Sequence, residues 1–343
     1  MDIKKTLFDL CAIPSPSGFE NKAAARITEL MLPLVDEVKT DKMGNVIGIL
    51  RCGEAGAPTL LVDSHMDEIG IIITGSDEGF LTFAALGGAD ARVLPGREVI
   101  LMTEPPAYGV ISCLPPHVLK TEQREKPIAI KDMYIDVGFS QETSKRKFPP
   151  GTPGILRGDV FMLGDSCICG RALDNRSCVA VMLSVADRLK GKKLKSDLVF
   201  MASVQEELGC RGAAAGAFGT TPDYAVILDV THAATPDAPK IKTVKYGGGA
   251  AVGIGPNMNA KMSADLFRTA QKHGICCQPE VMSGNSGTNA WPVQISREGI
   301  ATAVVSLPLR YMHTQVEAVR LDDIESVVSL TAAFIVDWGE WDA

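Results

Sequence analysis

The sequence predicts an α/β fold in which a layered α/β/α domain is interrupted by a small inserted β-barrel. Two observations predict it. First, several short runs are almost wholly apolar: TLLVD (59–63), FMASV (200–204), YAVILDV (224–230) and IATAVVS (300–306). Strands covered on both faces read this way. Here they alternate with helix-length patterns, as in a sheet sandwiched by helices. Second, residues 69–163 break that alternation. They hold brief β-rich runs (IGIIIT, EVILM, YGVISCL, MYIDV) interrupted by Gly and Pro, with no long helical pattern, which predicts a small barrel or sandwich. The α/β domain is therefore expected to be discontinuous, 1–68 and 164–343, with the barrel domain at 69–163 between its parts.

Helical spacing of apolar residues predicts helices over 3–11 and 19–31, separated by the Pro14-Ser15-Pro16-Ser17-Gly18 break. Strands are expected at 45–50 (NVIGIL) and 59–63, joined into a hairpin by the turn-rich GEAGAP segment. Inside the barrel, the tracts 115–127 and KRKFPPGTPG (145–154) are rich in Pro and charge and are expected as loops. Beyond 165, helices are predicted over 174–190, 259–273 and 322–338, interleaved with the apolar strands.

The chain has 343 residues, 46% hydrophobic and 22% charged, which suits a folded chain of two domains and excludes a disordered one. Asp and Glu (41) outnumber Lys and Arg (34), leaving a net charge of −7. That balance argues against a nucleic-acid or anionic-membrane surface. No apolar run approaches the about 18 residues of a membrane span. The N-terminal MDIKKTLFDL lacks a signal-peptide pattern. The nine cysteines, an odd number without paired zinc-site spacings, are expected as free thiols in the cytoplasm.

The chemistry lies where the apolar strands end. TLLVD runs into Ser64-His65-Met66-Asp67, FMASVQ into Glu206-Glu207, and AVIL into Asp229; AVVSLPLRYM leads to His313, and Asp174 opens the 174–190 helix. Ligands of open α/β sheets gather at the carboxyl ends of strands. Singly, each of these residues has an ordinary explanation: a helix cap, a turn former, a surface charge. Together, His65, Asp174, Glu207, Asp229 and His313 are the donor set of a pair of divalent cations, zinc or cobalt, sharing one carboxylate. Two such ions bring +4 against three carboxylates, and a bridging hydroxide would balance the rest. Asp67, two residues after His65, can accept the second imidazole N–H and fix the tautomer. Glu206, free of the ligand role if Glu207 has it, is a candidate general base. Asp67 and Glu206 are thus the candidate catalytic pair beside the metal set. The remaining His117, His232 and His273 are expected to be solvated.

These motifs are recognisable as a set. PSPSGFE (14–20), SHMDEIG (64–70), GRALDNR (170–176), QEELGCRGA (205–213), LDVTHA (228–233), SGTNAW (286–291) and RYMHTQVE (310–317) occur in the order of one family. The chain resembles the glutamyl-aminopeptidase-like, tetrahedral-assembly dizinc metallo-aminopeptidases over nearly its whole length. The resemblance implies a zinc-exopeptidase-like catalytic domain with an inserted β-barrel. It also implies removal of N-terminal residues from short peptides and homo-oligomers built from dimers, up to dodecamers. It further implies one metal on His65, Asp174 and Asp229, a second on Asp174, Glu207 and His313, and Glu206 as general base. One departure is visible: many members carry Asp where this chain has Asn289, which cannot supply a negative charge to substrate recognition.

Two other activities compete. Deacylation of small acyl-amino acids or amides could use the same metal centre. An endo-β-glucanase, the label some family members carry, needs only paired carboxylates. The convergence of two His with three carboxylates and the presence of only three Trp weigh against it.

Overall fold

Leu60 and Val62 face one side of a central sheet and Leu61 the other, and the same alternation recurs along its neighbours. Leu198, Phe200 and Ala202 face one core and Val199 and Met201 the other, as do Val226 and Leu228 against Ala225 and Ile227. A strand's two-residue period puts successive side chains on opposite faces, so runs that are apolar at every position demand cover on both. The computed structural model describes residues 1–119 and 127–338. The strands in chain order are β1 (Glu37–Thr40), β2 (Val46–Leu50), β3 (Thr59–His65), β4 (Gly70–Asp77), β5 (Phe80–Leu86), β6 (Glu98–Leu101), β7 (Ala107–Ile111), β8 (Ile135–Asp136) and β9 (Pro153–Leu156). They continue with β10 (Phe161–Leu163), β11 (Cys167–Gly170), β12 (Asp197–Ser203), β13 (Tyr224–His232), β14 (Ala250–Ile254), β15 (Cys277–Val281), β16 (Ala301–Arg310) and β17 (Glu317–Arg320). The helices are α1 (Ile3–Cys11), α2 (Asn21–Met31), α3 (Gln141–Lys147), α4 (Leu173–Leu189), α5 (Arg211–Thr220), α6 (Ala260–His273), α7 (Ala290–Val293) and α8 (Leu321–Asp337).

The large sheet runs β1-β2-β12-β3-β13-β16-β17-β11-β10, with β14 against β16 and β15 beyond it. Its centre, β12-β3-β13-β16, is parallel throughout. Residues of α1, α2, α4, α6 and α8 bury one face; α5 and α7 bury the other with Ala213, Ala217, Ala290 and Val293. The result is the predicted α/β/α layering. Strands β4-β5-β8-β7-β6-β9 close into a barrel around its own core of Ile71, Ile73, Leu81, Phe83, Val99, Leu101 and Ile135. The barrel departs from the sheet just after β3, and the chain rejoins it at β10 and β11. Among the described residues, no helix is long and apolar enough to cross a membrane.

Two local expectations are corrected. β2 and β3 form no hairpin: β12 lies between them, antiparallel to β2 and parallel to β3. Because every position of β3 from Leu60 to His65 is buried, it takes a parallel neighbour on each side, and the loop 51–58 is long enough to step across the intervening strand. The tract 145–154 is not simply a loop. α3 covers its start, capped by Ser140, and its Pro153-Gly154 end is already β9, the strand that closes the barrel between β4 and β6. Of the tract 115–127, positions 120–126 lie outside the described residues.

Candidate metal centre and active site

The parallel strands β12, β3, β13 and β16 are neighbours, so their carboxyl ends lie along one edge. That is where the sequence changes from apolar to acidic and imidazole side chains. His65 ends β3, Glu206 and Glu207 follow β12, Asp229 lies near the end of β13, and His313 follows β16. Asp174 enters from the first turn of α4, where it and Asn175 depart from helical geometry and are joined by a cis peptide.

The predicted residues converge. His65 Nε2 lies 3.2 Å from Asp174 Oδ1, 3.7 Å from Asp229 Oδ1 and 4.0 Å from Glu206 Oε2. His313 Nε2 lies 3.4 Å from Asp174 Oδ2 and 3.1 Å from Glu207 Oε1. Two groups result, His65–Asp174–Asp229 and Asp174–Glu207–His313. Within each, the ligand atoms lie within 4.8 Å of one another. Asp174 turns one oxygen to each group.

The fit to divalent cations can be judged from electrostatics. Burial and neighbouring carboxylates push Asp229 well above the usual carboxylate range and Glu206 to about 7, against the opposing pull of His65. Burial opposes the charged form of His313, yet hydrogen bonds and charge from Asp174 and Glu207 raise it to about 11. Crowding thus favours the protonated forms of Glu206 and Asp229, while the two imidazoles, against burial, hold Asp174 below the usual carboxylate range, and a bound divalent ion reverses the local logic at the raised pair. Nitrogen and oxygen donors in these numbers suit zinc or cobalt.

Contacts around this set explain the sequence strings that flank its members. Asp67 is fully buried. The His65 Nδ1 atom is 3.2 Å from the Asp67 main-chain oxygen and 3.4 Å from Oδ1. The Asp67 carboxylate also accepts the N–H groups of Glu206 (3.0 Å) and Glu207 (3.1 Å) and the Ser17 hydroxyl. It therefore ties three segments, rather than orienting the imidazole alone. Glu20 Oε1 accepts from Gly18 N and Gln205 N, so the PSPSGFE segment braces the turn after β12. Gln205, Ala172 and His313 all have left-handed backbones, with φ of 56°, 58° and 61°. Each such non-glycine residue costs about 1–2 kcal/mol, a cost offset by the packing that holds these turns.

Sequence reasoning missed several partners. Buried Glu317 accepts from the main-chain N–H of Asp174 (Oε2, 3.1 Å) and of His313 (Oε1, 2.8 Å), linking both ends of the site. Asn175 donates to Asp229 Oδ1 at 3.0 Å. The Gly88 carbonyl, on the barrel loop, lies 3.0 Å from His313 Nδ1. The available signal for Glu317 was a Glu four residues after His313; the others carry none, since a glycine or asparagine in a loop has no distinctive spacing. Cys210 Sγ is 3.3 Å from Glu206 Oε1.

Two expectations change. Asn289 is buried, and its Nδ2 donates to Asp63 Oδ2 (2.7 Å) and Ser203 Oγ (2.9 Å). Asp63 is itself fully buried and its carboxyl is pushed up to about 7. A neutral amide donates to its Oδ2 where a second carboxylate would repel it. His273 is not merely solvated; its Nε2 lies 2.9 Å from Asp337 Oδ2.

Residues 44–330 match the M42 glutamyl aminopeptidase family. The chain is 34% identical to the lysyl aminopeptidase of Pyrococcus furiosus, over 94% of this chain and 93% of that protein. Its fold superposes on an aminopeptidase from the archaeon Desulfurococcus kamchatkensis with a TM-score of 0.91, at 34% identity, covering 99% of this chain and 96% of the other. It is also similar to the Pyrococcus horikoshii TET1 peptidase, which can assemble into a tetrahedron or a large octahedral shell. There the TM-score is 0.85 and the identity 31%, over 97% and 99% of the two chains. The order of elements, the inserted barrel and the match along most of the sequence agree: the chain belongs to the M42 aminopeptidase family.

Proposed function

We propose that this aminopeptidase removes N-terminal residues from short peptides using two divalent cations, zinc or cobalt. In this reading His65, Asp174 and Asp229 hold one and Asp174, Glu207 and His313 hold the other. The observation that supports it most is the division of the Asp174 carboxylate, with Oδ1 toward His65 and Oδ2 toward His313. Cations held there supply a Lewis acid for the scissile carbonyl and lower the pKa of water. Glu206 takes the proton on its carboxylate, within 4.0 Å of His65 Nε2, and returns it to the leaving nitrogen. Asp67 acts through its neighbours, fixing the main chain of Glu206 and Glu207 and the His65 ring. Glu317 does the same for Asp174 and His313.

The reading extends to assembly and compartment. The likeness to TET1 structures, one a dodecamer and one able to form a tetrahedral or octahedral shell, supports a large homo-oligomer, which we take to be built from dimers, up to a dodecamer. Nine free thiols suit a reducing cytoplasm. The test is a panel of short peptides, each with a free or an acetylated N-terminus, given to metal-loaded and metal-stripped protein and read by mass spectrometry. Metal-dependent loss of the first residue from free peptides alone is expected. Release of acetate from the acetylated set would move the assignment to a deacylase. Absence of any cleavage with both sites filled would sink the peptide reading.

A further inference from the structure

The two halves of the site are braced from different parts of the molecule. Around His65 and Asp229 the partners all belong to the α/β layers: Asp67, Asn175 and Val230. Around Glu207 and His313 one partner comes from the barrel. The loop after β5 brings Gly88 O to 3.0 Å from His313 Nδ1. It approaches this closely because it has no side chains there. A Cβ on Gly88 would stand 2.7 Å from His313 Nδ1 and 2.9 Å from Cε1, and one on Gly87 would stand 2.9 Å from Glu207 Oε2 and 3.1 Å from Glu207 Cβ. Gly87 also needs its glycine for backbone reasons, with φ of +85°, whereas Gly88 has an ordinary φ.

We propose that the barrel loop Gly87-Gly88 is a positioning element for the second cation alone. Its Gly88 carbonyl accepts the His313 Nδ1 proton, fixes the ring with Nε2 toward Asp174 and Glu207, and so makes the affinity of one of the two sites depend on the inserted barrel. An imidazole that binds metal through Nε2 must carry its proton on Nδ1, and the group that receives this proton sets both tautomer and ring orientation. Loss of such a partner lowers metal affinity by about 10–100-fold. This inference rests on the two-cation reading given above.

The test is calorimetric titration of metal-stripped protein with Zn2+ or Co2+, comparing wild type with Gly88→Ala and with Arg92→Ala, a surface control on the same loop. Wild type and Arg92→Ala are expected to bind two ions alike. Gly88→Ala is expected to keep one ion at wild-type affinity and to bind the other at least tenfold more weakly, with the thermal midpoint of the stripped protein unchanged. Two ions bound at wild-type affinity by Gly88→Ala, or equal weakening of both, would overturn the inference. One ion or none in wild type would instead remove the two-cation reading itself. Hydrogen exchange on the wild-type chain offers a check independent of any variant: two equivalents of metal should slow exchange across 86–93, and an unchanged rate would count against the loop's role.

Discussion

In the proposed mechanism Glu206 and Asp174 act differently, one on a proton and one on the cations, so substitution separates them. Glu206→Gln keeps the shape of the side chain and leaves both groups of candidate ligands intact. It should bind metal as wild type does while kcat falls by at least about 100-fold, the scale of general acid–base catalysis; near-normal turnover would refute the role. Asp174→Asn should weaken both metals together, and metal analysis showing two ions at full occupancy would argue against a shared ligand. A third expectation concerns Glu280, away from the metal groups. It is half-buried on β15 with the Thr231 hydroxyl as partner, and desolvation raises its pKa above the usual glutamate value. A carboxyl raised in the folded state contributes stability that is complete below its unfolded pKa and is lost as pH rises through the folded value. Glu280→Gln should therefore flatten the fall in thermal midpoint as pH rises above the ordinary glutamate range; an identical slope would show that Glu280 is not its source. At this scale the sequence is legible where chemistry interrupts an apolar run, which is how His65, Glu207, Asp229 and His313 stand out. Glu317, Asn175 and Gly88 do not stand out, because their roles come from contact with distant segments. Asn289 stands out as a missing charge, but its partner across the fold, Asp63, is invisible in a local reading.

Among the elements, α4 carries the densest set of constraints. Its first turn supplies Asp174 and Asn175 to the site, and the next residue, Arg176, is fully buried beneath it. Arg176 donates from Nε to Met66 O and from Nη1 to Leu10 O (2.9 Å), with Glu68 nearby and also held by Arg171. The guanidinium thus locks α1, the segment after β3 and α4 together. Arg176→Met removes the bonds to Met66 O and Leu10 O and one of two cations beside Glu68, which keeps Arg171, and should cost about 1–3 kcal/mol; a denaturation midpoint equal to wild type would deny Arg176 that role. Helices are the elements most accurately read from the sequence, since α1, α4, α6 and α8 repeat their apolar stripes over several turns. Strand partners are less legible. The period of two tells which residues alternate but not which strand lies alongside, so NVIGIL and TLLVD read as a hairpin although β12 separates them. β9 was hidden for a different reason: Pro153 and Gly154 are turn residues in most settings, and only barrel closure makes them a strand.

Across the whole molecule, metal and fold should be linked. Ions that bind the assembled site and not the unfolded chain stabilise by mass action, about 4 kcal/mol at a thousandfold excess over Kd. Chelation should therefore lower the thermal midpoint and re-addition of Zn2+ or Co2+ should restore it; indifference to both would mean that no tight site exists. The layered class and the interrupting barrel were legible because composition changes sharply at each transition, from double-faced apolar strands to short runs broken by Gly and Pro. The position of β3 has a consequence for how such a chain is made. Both of its lateral neighbours, β12 and β13, come later in the sequence, after the entire barrel. As synthesis proceeds from the N-terminus, this apolar strand has no native pairing until β12 and β13 follow it, and native pairing over such separations forms slowly. The interval in which β3 is unpaired is set by the length of the insertion, so the barrel fixes the time during which the nascent chain depends on chaperones or on its own collapse to keep that strand from other molecules.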